Sequence, residues 1–236
     1  MVQRFANRVA LVTGASRGIG RAAAIALGRE GAHVIAIART VGALEELDDE
    51  IRRHGGATTL VPLDLRDAPA MPRLAAAVAE RWGKLDVLIG NAGVLGKLTP
   101  LINVEAKNWV EALEVNLNAN LRLIQAFDLL LKRSDAGRAV FITSGAATSN
   151  RAYWGPYSVT KAALNTLVKT YAAEIATTNV HVNLFNPGGT RTRMRADAFP
   201  GENPETLPTP EEVAAKLIEL ALPSETRNGE IVNFAR

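Results

Sequence analysis

The sequence predicts an α/β fold in which seven parallel strands form one doubly wound, Rossmann-like sheet with helices on both faces. Three observations carry that expectation. Short β-branched runs alternate with longer amphipathic runs along the chain, the short runs are largely apolar rather than alternating, and the first leads directly into a glycine-rich turn. Strand-then-helix alternation carries each crossover over a face of the sheet, and strands buried from both sides lose the in/out polarity of a half-exposed sheet. Length and composition fit a single domain over 1–236: 236 residues bury a sizeable core, and 47% apolar with 22% charged residues is the balance of a soluble globular chain.

The elements follow in order. VALVT, Val9–Thr13, reads as the first strand, and the helical pattern after its turn covers 21–28. HVIAIA, His33–Ala38, is the second strand, followed by an amphipathic stretch over 43–53. TTLVPL at 58–63 and DVLIG at 86–90 are the third and fourth strands, separated by a helix over 70–81. A long amphipathic stretch, 105–131, precedes AVFIT at 139–143, and a second long helix is expected over 154–178. VHVNLF at 180–185 and EIVNF at 230–234 complete the seven. Between them AFPGENPETLPTP, 198–210, holds four prolines and is expected to form no regular element. A loop of that length in a compact domain is either a lid over a binding site or a surface connection.

Composition also excludes. With no cysteine there is no disulfide, no thiolate catalysis and no Cys-ligated metal, and His33, His54 and His181 lack ligand spacing, so no metal site is expected. No apolar run approaches the roughly 20 residues of a membrane helix, and the N-terminus has no separate apolar segment with a cleavage site, so a cytoplasmic chain without a membrane partner is expected. The net charge of +3 is spread along the chain with no basic and aromatic patch, which gives no support for a nucleic-acid partner.

The turn after the first strand is TGASRGIG, with Gly14, Gly18 and Gly20 in the order G-x-x-x-G-x-G. Glycines there let backbone approach a pyrophosphate while the following helix directs free N–H groups at the anion. A turn of this kind between the first strand and first helix of an α/β chain points to a bound dinucleotide; alone it is also compatible with a purely structural turn. The tip of the second strand reports on the ribose: an acidic residue about twenty positions past the glycines takes the 2′-hydroxyl of NAD, an Arg the 2′-phosphate of NADP. Here Ala38 is followed by Arg39, and Arg17 in the turn adds a second positive charge, which favours NADP(H) over the alternative of two solvated arginines. YSVTK places Tyr157 and Lys161 on one helical face, where an ammonium favours ionisation of a phenol, although the same spacing is common on solvated helices.

These motifs stand in a fixed order with NAG (Asn91, Ala92, Gly93) after the fourth strand, Asn116, Ser144 after the fifth strand, and PGGTRT (187–192) after the sixth. In that combination, with Ser144 thirteen residues before Tyr157, the chain resembles the short-chain dehydrogenase/reductase family over nearly its whole length. The resemblance implies an NADP(H)-dependent oxidoreductase that interconverts a ketone or aldehyde and an alcohol. The alternative is a catalytically silent dinucleotide-sensing or scaffold protein on the same fold. Within the resemblance Tyr157 is the general acid/base, Lys161 holds the nicotinamide ribose and eases phenolate formation, Ser144 donates to the substrate oxygen, and Asn116 keeps a water beside the lysine. Cofactor contacts are implied for Gly14, Ser16, Arg17, Gly18, Ile19 and Gly20; for Arg39; for Asp64 and Leu65 beside the adenine; for Asn91, Ala92 and Gly93; and for Pro187, Gly188, Thr190 and Thr192 as well as Tyr157 and Lys161. Asp64 also has the alternative of a helix N-cap.

Two features depart from the family pattern: Gly90 stands where many members carry a second Asn, and few residues follow the last strand. Leu95, Ala146, Trp154, Gly189 and Met194 are expected around the substrate, while Arg191, Arg193 and Arg195 either attract an acidic compound or form a solvated face. The resemblance further implies a homodimer or homotetramer through the two long helices, with Leu117, Leu121, Leu164 and Leu167 as a second apolar side.

Overall fold

The computed structural model describes residues 3–235. Its seven strands are β1 Val9–Thr13, β2 His33–Ala38, β3 Ala57–Pro62, β4 Val87–Gly90, β5 Arg138–Ile142, β6 His181–Asn186 and β7 Ile231–Asn233. They form one sheet in the order β3-β2-β1-β4-β5-β6-β7, every neighbouring pair parallel. The register sets Thr13 beside Ile37 and Val12 beside Ile89. Strands β1, β4 and β5 are buried along their whole length, in keeping with their mainly apolar runs.

Nine α-helices cover the sheet: α1 Gly18–Arg29, α2 Val41–Arg53, α3 Ala70–Trp82, α4 Ala106–Leu113, α5 Ala119–Lys132, α6 Ala146–Ser149, α7 Gly155–Glu174, α8 Arg193–Ala198 and α9 Pro210–Glu219, counted among the described residues. One core packs α1, α2 and α9 against the sheet through Ala23, Leu27, Leu44, Leu47 and Leu217. The other packs α3, α5 and α7 through Val78, Leu123, Phe127, Leu164 and Val168. Leu164 is therefore inside this chain's own core, not on the outer face where it was expected.

The sequence differs from the structure at two places that shape the site. The stretch read as continuous over 105–131 is two helices joined by a π-helical turn, Glu114–Asn118. One extra residue in that turn rotates Asn116 inward, away from the exposed face that regular periodicity allows. The proline-rich stretch 198–210 contains one 3₁₀ turn, Pro204–Thr206, and ends in α9, whose first turn is closed by a capping box between Thr209 and Glu212.

Candidate active site

Strand order reverses between β1 and β4, and at such a switch point the loops leaving the two strands diverge to opposite faces. A cavity of about 500 Å³ opens there at the carboxyl ends of the strands. Gly14, Ser16, Arg17, Gly18 and Ile19 line it from the glycine turn, and Arg39 from the tip of β2. Asp64 and Leu65 enter after β3, Asn91, Ala92 and Gly93 after β4, and Pro187, Gly188, Thr190 and Thr192 after β6. Ser144, Tyr157 and Lys161 line the same cavity. Two expected site residues, Gly20 and Asn116, do not; both are buried behind lining residues, Gly20 against Gly14 and Asn91 and Asn116 against Val94.

The turn is built to present backbone. Gly14 has φ +67°, and a Cβ there would stand 2.9 Å from Asn91 Nδ2 and 3.0 Å from Ala92 Cα. At Gly20 a Cβ would collide with the Gly14 carbonyl at 2.4 Å, so the third glycine serves close packing of α1 on the turn. Thr13 ties the two crossing loops together: its buried Oγ1 accepts from the N–H of Asn91 at 3.0 Å and of Ala92 at 3.1 Å, and donates to the Ile89 carbonyl at 3.3 Å. Asn91 returns the contact, its Nδ2 donating to the Thr13 carbonyl at 2.9 Å. Its side chain is thus a lock on the glycine turn, and Thr13 is a site residue that sequence reading missed because a β-branched residue in a strand carries no signal of its own.

This donor set fits a dinucleotide. Helix α1 begins with Arg17 at its N-cap, no side-chain cap and no acidic residue in its first turn, so its leading N–H groups and positive dipole end are left for an anion in the cleft. Arg17 and Arg39 are exposed at the rim. Other expected contacts have a different character. The Thr190 hydroxyl donates to the Pro187 carbonyl at 3.2 Å, and Thr192 donates to the Thr190 carbonyl while capping α8 by accepting from Arg195 N–H. Asp64 accepts a fork from the Arg66 guanidinium, 2.6 Å at its shortest, and the Arg66 backbone N–H as well. That pairing holds its carboxyl down at about 2, and it places Asp64 in a local turn rather than at a helix N-cap.

Tyr157 and Lys161 occupy successive turns of α7, whose start is set by Pro156 in the first turn. The chain enters α7 through Tyr153 at φ +74°, an unusual conformation for an aromatic residue, held where the Tyr153 carbonyl accepts from Thr99 N–H at 3.1 Å. Burial pushes the Tyr157 phenol up, and a hydrogen bond with the Ser144 side chain opposes that only partly. Burial, not the expected pull of Lys161 toward phenolate, sets the direction of that shift; Lys161 Nζ lies 5.8 Å from the centre of the ring. Lys161 is itself lowered to about 8 by burial, and its Nζ donates to the Ile142 carbonyl at 2.7 Å, which leaves two of its three donors for other partners. Ser144 Oγ also accepts from Ala146 N–H at 3.1 Å, so it is both a turn residue and a partner of Tyr157.

Asn116 has its side chain spent on protein. Oδ1 accepts from Val94 N–H at 2.8 Å, and Nδ2 donates to the Val94 carbonyl at 2.9 Å and to Thr160 Oγ1 at 3.0 Å. Its carbonyl accepts from Asn120 Nδ2 at 2.8 Å. Gly90 and Asn120 belong together: a Cβ on Gly90 would stand 2.8 Å from Asn120 Oδ1 and 2.3 Å from Phe141 Cδ1. The space that an Asn at position 90 would fill is taken by these two side chains.

Leu95, Trp154 and Met194 line the cavity as expected, whereas Ala146 and Gly189 do not. A Cβ on Gly189 would instead face the Arg195 guanidinium at 3.3 Å. Among the described residues no group of His, Cys, Asp and Glu is placed to hold a metal, and no helix is long and apolar enough to cross a membrane.

Residues 8–203 match the family model for short chain dehydrogenases. The oxidoreductase YciK of Escherichia coli K12 is 38% identical over 210 residues, covering 88% of this chain and 83% of that one. A short chain dehydrogenase of Shigella flexneri 2a in complex with NADP superposes with a TM-score of 0.94 at 35% identity, covering 99% of both chains. One from Escherichia coli CFT073 in complex with NADPH superposes at 0.92 with 36% identity, again over 99% of both. With its family model matched along most of its length and its seven-stranded sheet shared with these structures, the chain belongs to the short chain dehydrogenase family.

Proposed function

We propose that the protein is an NADP(H)-dependent oxidoreductase that interconverts a ketone or aldehyde and an alcohol, with Tyr157 as its general acid. One observation carries the reading: Tyr157 faces the cleft as a buried, neutral phenol, with Ser144 on its oxygen and Lys161 one helical turn away. A phenol kept protonated is suited to give a proton to a carbonyl oxygen, which is the reductive direction. Ser144 donates to that same oxygen and stabilises the charge that develops on it. Lys161, with two donors free, holds ribose hydroxyls and keeps positive charge near the phenol as its proton leaves. Asn116 acts through position, fixing the Val94 backbone and Thr160 of α7. The cofactor, when bound, supplies or accepts the hydride.

Preference for NADP(H) is supported by Arg17 and Arg39 at the rim, by Ala38, which places no carboxylate there, and by the NADP and NADPH held in the two related structures. In a screen of aldehydes and ketones followed by absorbance, NADPH is expected to be preferred to NADH by at least about tenfold, roughly one charge-assisted contact. Tyr157→Phe is expected to lower turnover at least about a hundredfold while NADPH still binds. Retained turnover in that variant refutes the assignment.

Assembly as a homodimer or homotetramer belongs to the same reading. Val110, Leu121, Leu129 and Val159 are exposed on α4, α5 and α7, more apolar surface than helices facing water need. A solution mass of at least twice 25.2 kDa is expected by light scattering, and a monomer at micromolar concentration contradicts it.

A further inference from the structure

Beyond Tyr157 the cleft is walled by carbon. Val94, Leu95, Trp154, Met194, Ala198 and Phe199 line it, and the rings are coupled: Trp154 meets Tyr157 edge-on at 5.9 Å and Phe199 at 5.5 Å between centroids. Two of the arginines around this wall are already paired with carboxylates. Arg195 lies 3.8 Å over the Phe199 ring and forks onto Glu202 at 2.6 Å through both nitrogens. Arg191 pairs with Glu205 at 3.2 Å and donates to the Pro204 carbonyl. Arg151 stands over Phe199 at 5.2 Å and Trp154 at 5.7 Å, and is not part of the cavity lining. Arg193 also lines the cleft, is exposed, and has no carboxylate partner among the described residues.

We propose that the substrate is a neutral carbonyl compound whose non-reacting part is aromatic, and that Trp154 and Phe199 determine this specificity by forming the wall it packs against. The inference rests on the reading of Tyr157 as the proton donor, since the wall begins at its ring. Flat apolar groups gain most from ring faces and edges already held in place, because little side-chain freedom remains to be lost. A carboxylate packed on the rings would lose its water, and the guanidiniums of Arg195 and Arg191 are already taken by Glu202 and Glu205, which leaves only the solvated Arg193 to meet it among the three arginines of this segment. Of the three arginines on α8 and before it, which in sequence either attract an acidic compound or form a solvated face, Arg191 and Arg195 instead brace the segment that carries Phe199.

Three aldehydes test this in the full chain with NADPH: benzaldehyde, 4-carboxybenzaldehyde and hexanal. Benzaldehyde is expected to exceed each of the others in kcat/KM by at least about tenfold, the factor roughly 1.4 kcal/mol represents. Phe199→Ala and Trp154→Ala are expected to collapse the benzaldehyde-to-hexanal ratio toward one. Equal or better use of the carboxylate, or of hexanal, overturns the proposal, as does an unchanged ratio in both variants. Binding is read separately by titrating acetophenone into NADP⁺-loaded protein and following Trp154 fluorescence, with Trp154→Phe as the blank. Saturable quenching without turnover of any aldehyde would sustain the aromatic wall and sink the carbonyl-reductase reading. No quenching in protein that binds NADP⁺ would sink the wall alone.

Discussion

Thr13→Val removes one oxygen from the buried support behind the glycine turn at almost constant volume. Thr13 is fully buried, and its Oγ1 accepts the backbone N–H groups of Asn91 and Ala92 while donating to the Ile89 carbonyl. Valine keeps the β-branch and the strand preference but leaves two amides without their acceptor. An orphaned buried donor costs about 1–3 kcal/mol; Asn91 and Ala92 are only half-buried, so the lower end applies to each, about 2 kcal/mol for the pair. In a chain of this size that corresponds to a fall in Tm of about 4–8 °C by calorimetry or dye-monitored melting. The loss is also directional. Those amides belong to the loop that Asn91 locks against the glycine turn, so loosening them spreads the cradle and is expected to raise the NADPH dissociation constant severalfold with little effect on bound-state chemistry. A Tm within about 2 °C of the parent protein would refute the reasoning, because the two hydrogen bonds could then not be supporting the switch point.

Gly90→Ala is expected to cost about 1–3 kcal/mol by overpacking, since its Cβ would enter the Phe141 ring at 2.3 Å; an unchanged denaturation midpoint would show that Phe141 can move aside. In the free protein, burial lowers Lys161 to about 8 and raises Tyr157, so kcat/KM for NADPH in the reductive direction is expected to stay level below about pH 8 and fall above it, as Lys161 loses its charge while Tyr157 keeps its proton. A profile flat to pH 10 would contradict that lowering.

Most of the fold was legible because strands buried on both faces are mainly apolar; predicted and observed strands differ by a residue or so at their ends, as with 58–63 against Ala57–Pro62. The cradle was legible for a related reason: only glycine permits the Gly14 and Gly20 contacts, so the constraint is written as composition. What escaped was pairing between distant residues. Nothing in a strand marks Thr13 as an acceptor, and periodicity over 105–131 cannot reveal the one added residue of the π turn that carries Asn116 inward. Arg191 and Arg195 read as free charge because their carboxylate partners, Glu205 and Glu202, lie in the proline-rich stretch with no local pattern to join them. Leu164 was placed on an outer face because α7 is apolar on more than one side, and sequence alone does not say which side meets the sheet.

Burial moves Tyr157 and Lys161 in opposite directions and toward the same end, the neutral form of each. For Lys161 this is a cost to the fold with a definite sign. The unfolded side chain holds its proton up to about 10.4, the buried one only to about 8. Between those values the unfolded state binds more protons, so the contribution of Lys161 to stability rises with pH across the window and its penalty is complete below it. A chain selected for stability alone would not bury an ammonium whose one hydrogen-bond partner among the described residues is the Ile142 carbonyl. The position makes sense if an anionic ligand completes it: a dinucleotide carries its phosphates into a cleft whose floor includes Lys161 and whose rim includes Arg17 and Arg39, and negative charge there favours the protonated lysine. Occupancy of the cleft and the charge state of Lys161 would then be linked, and a dinucleotide in the glycine turn would also restore the positive charge beside Tyr157 that the proposed proton transfer needs.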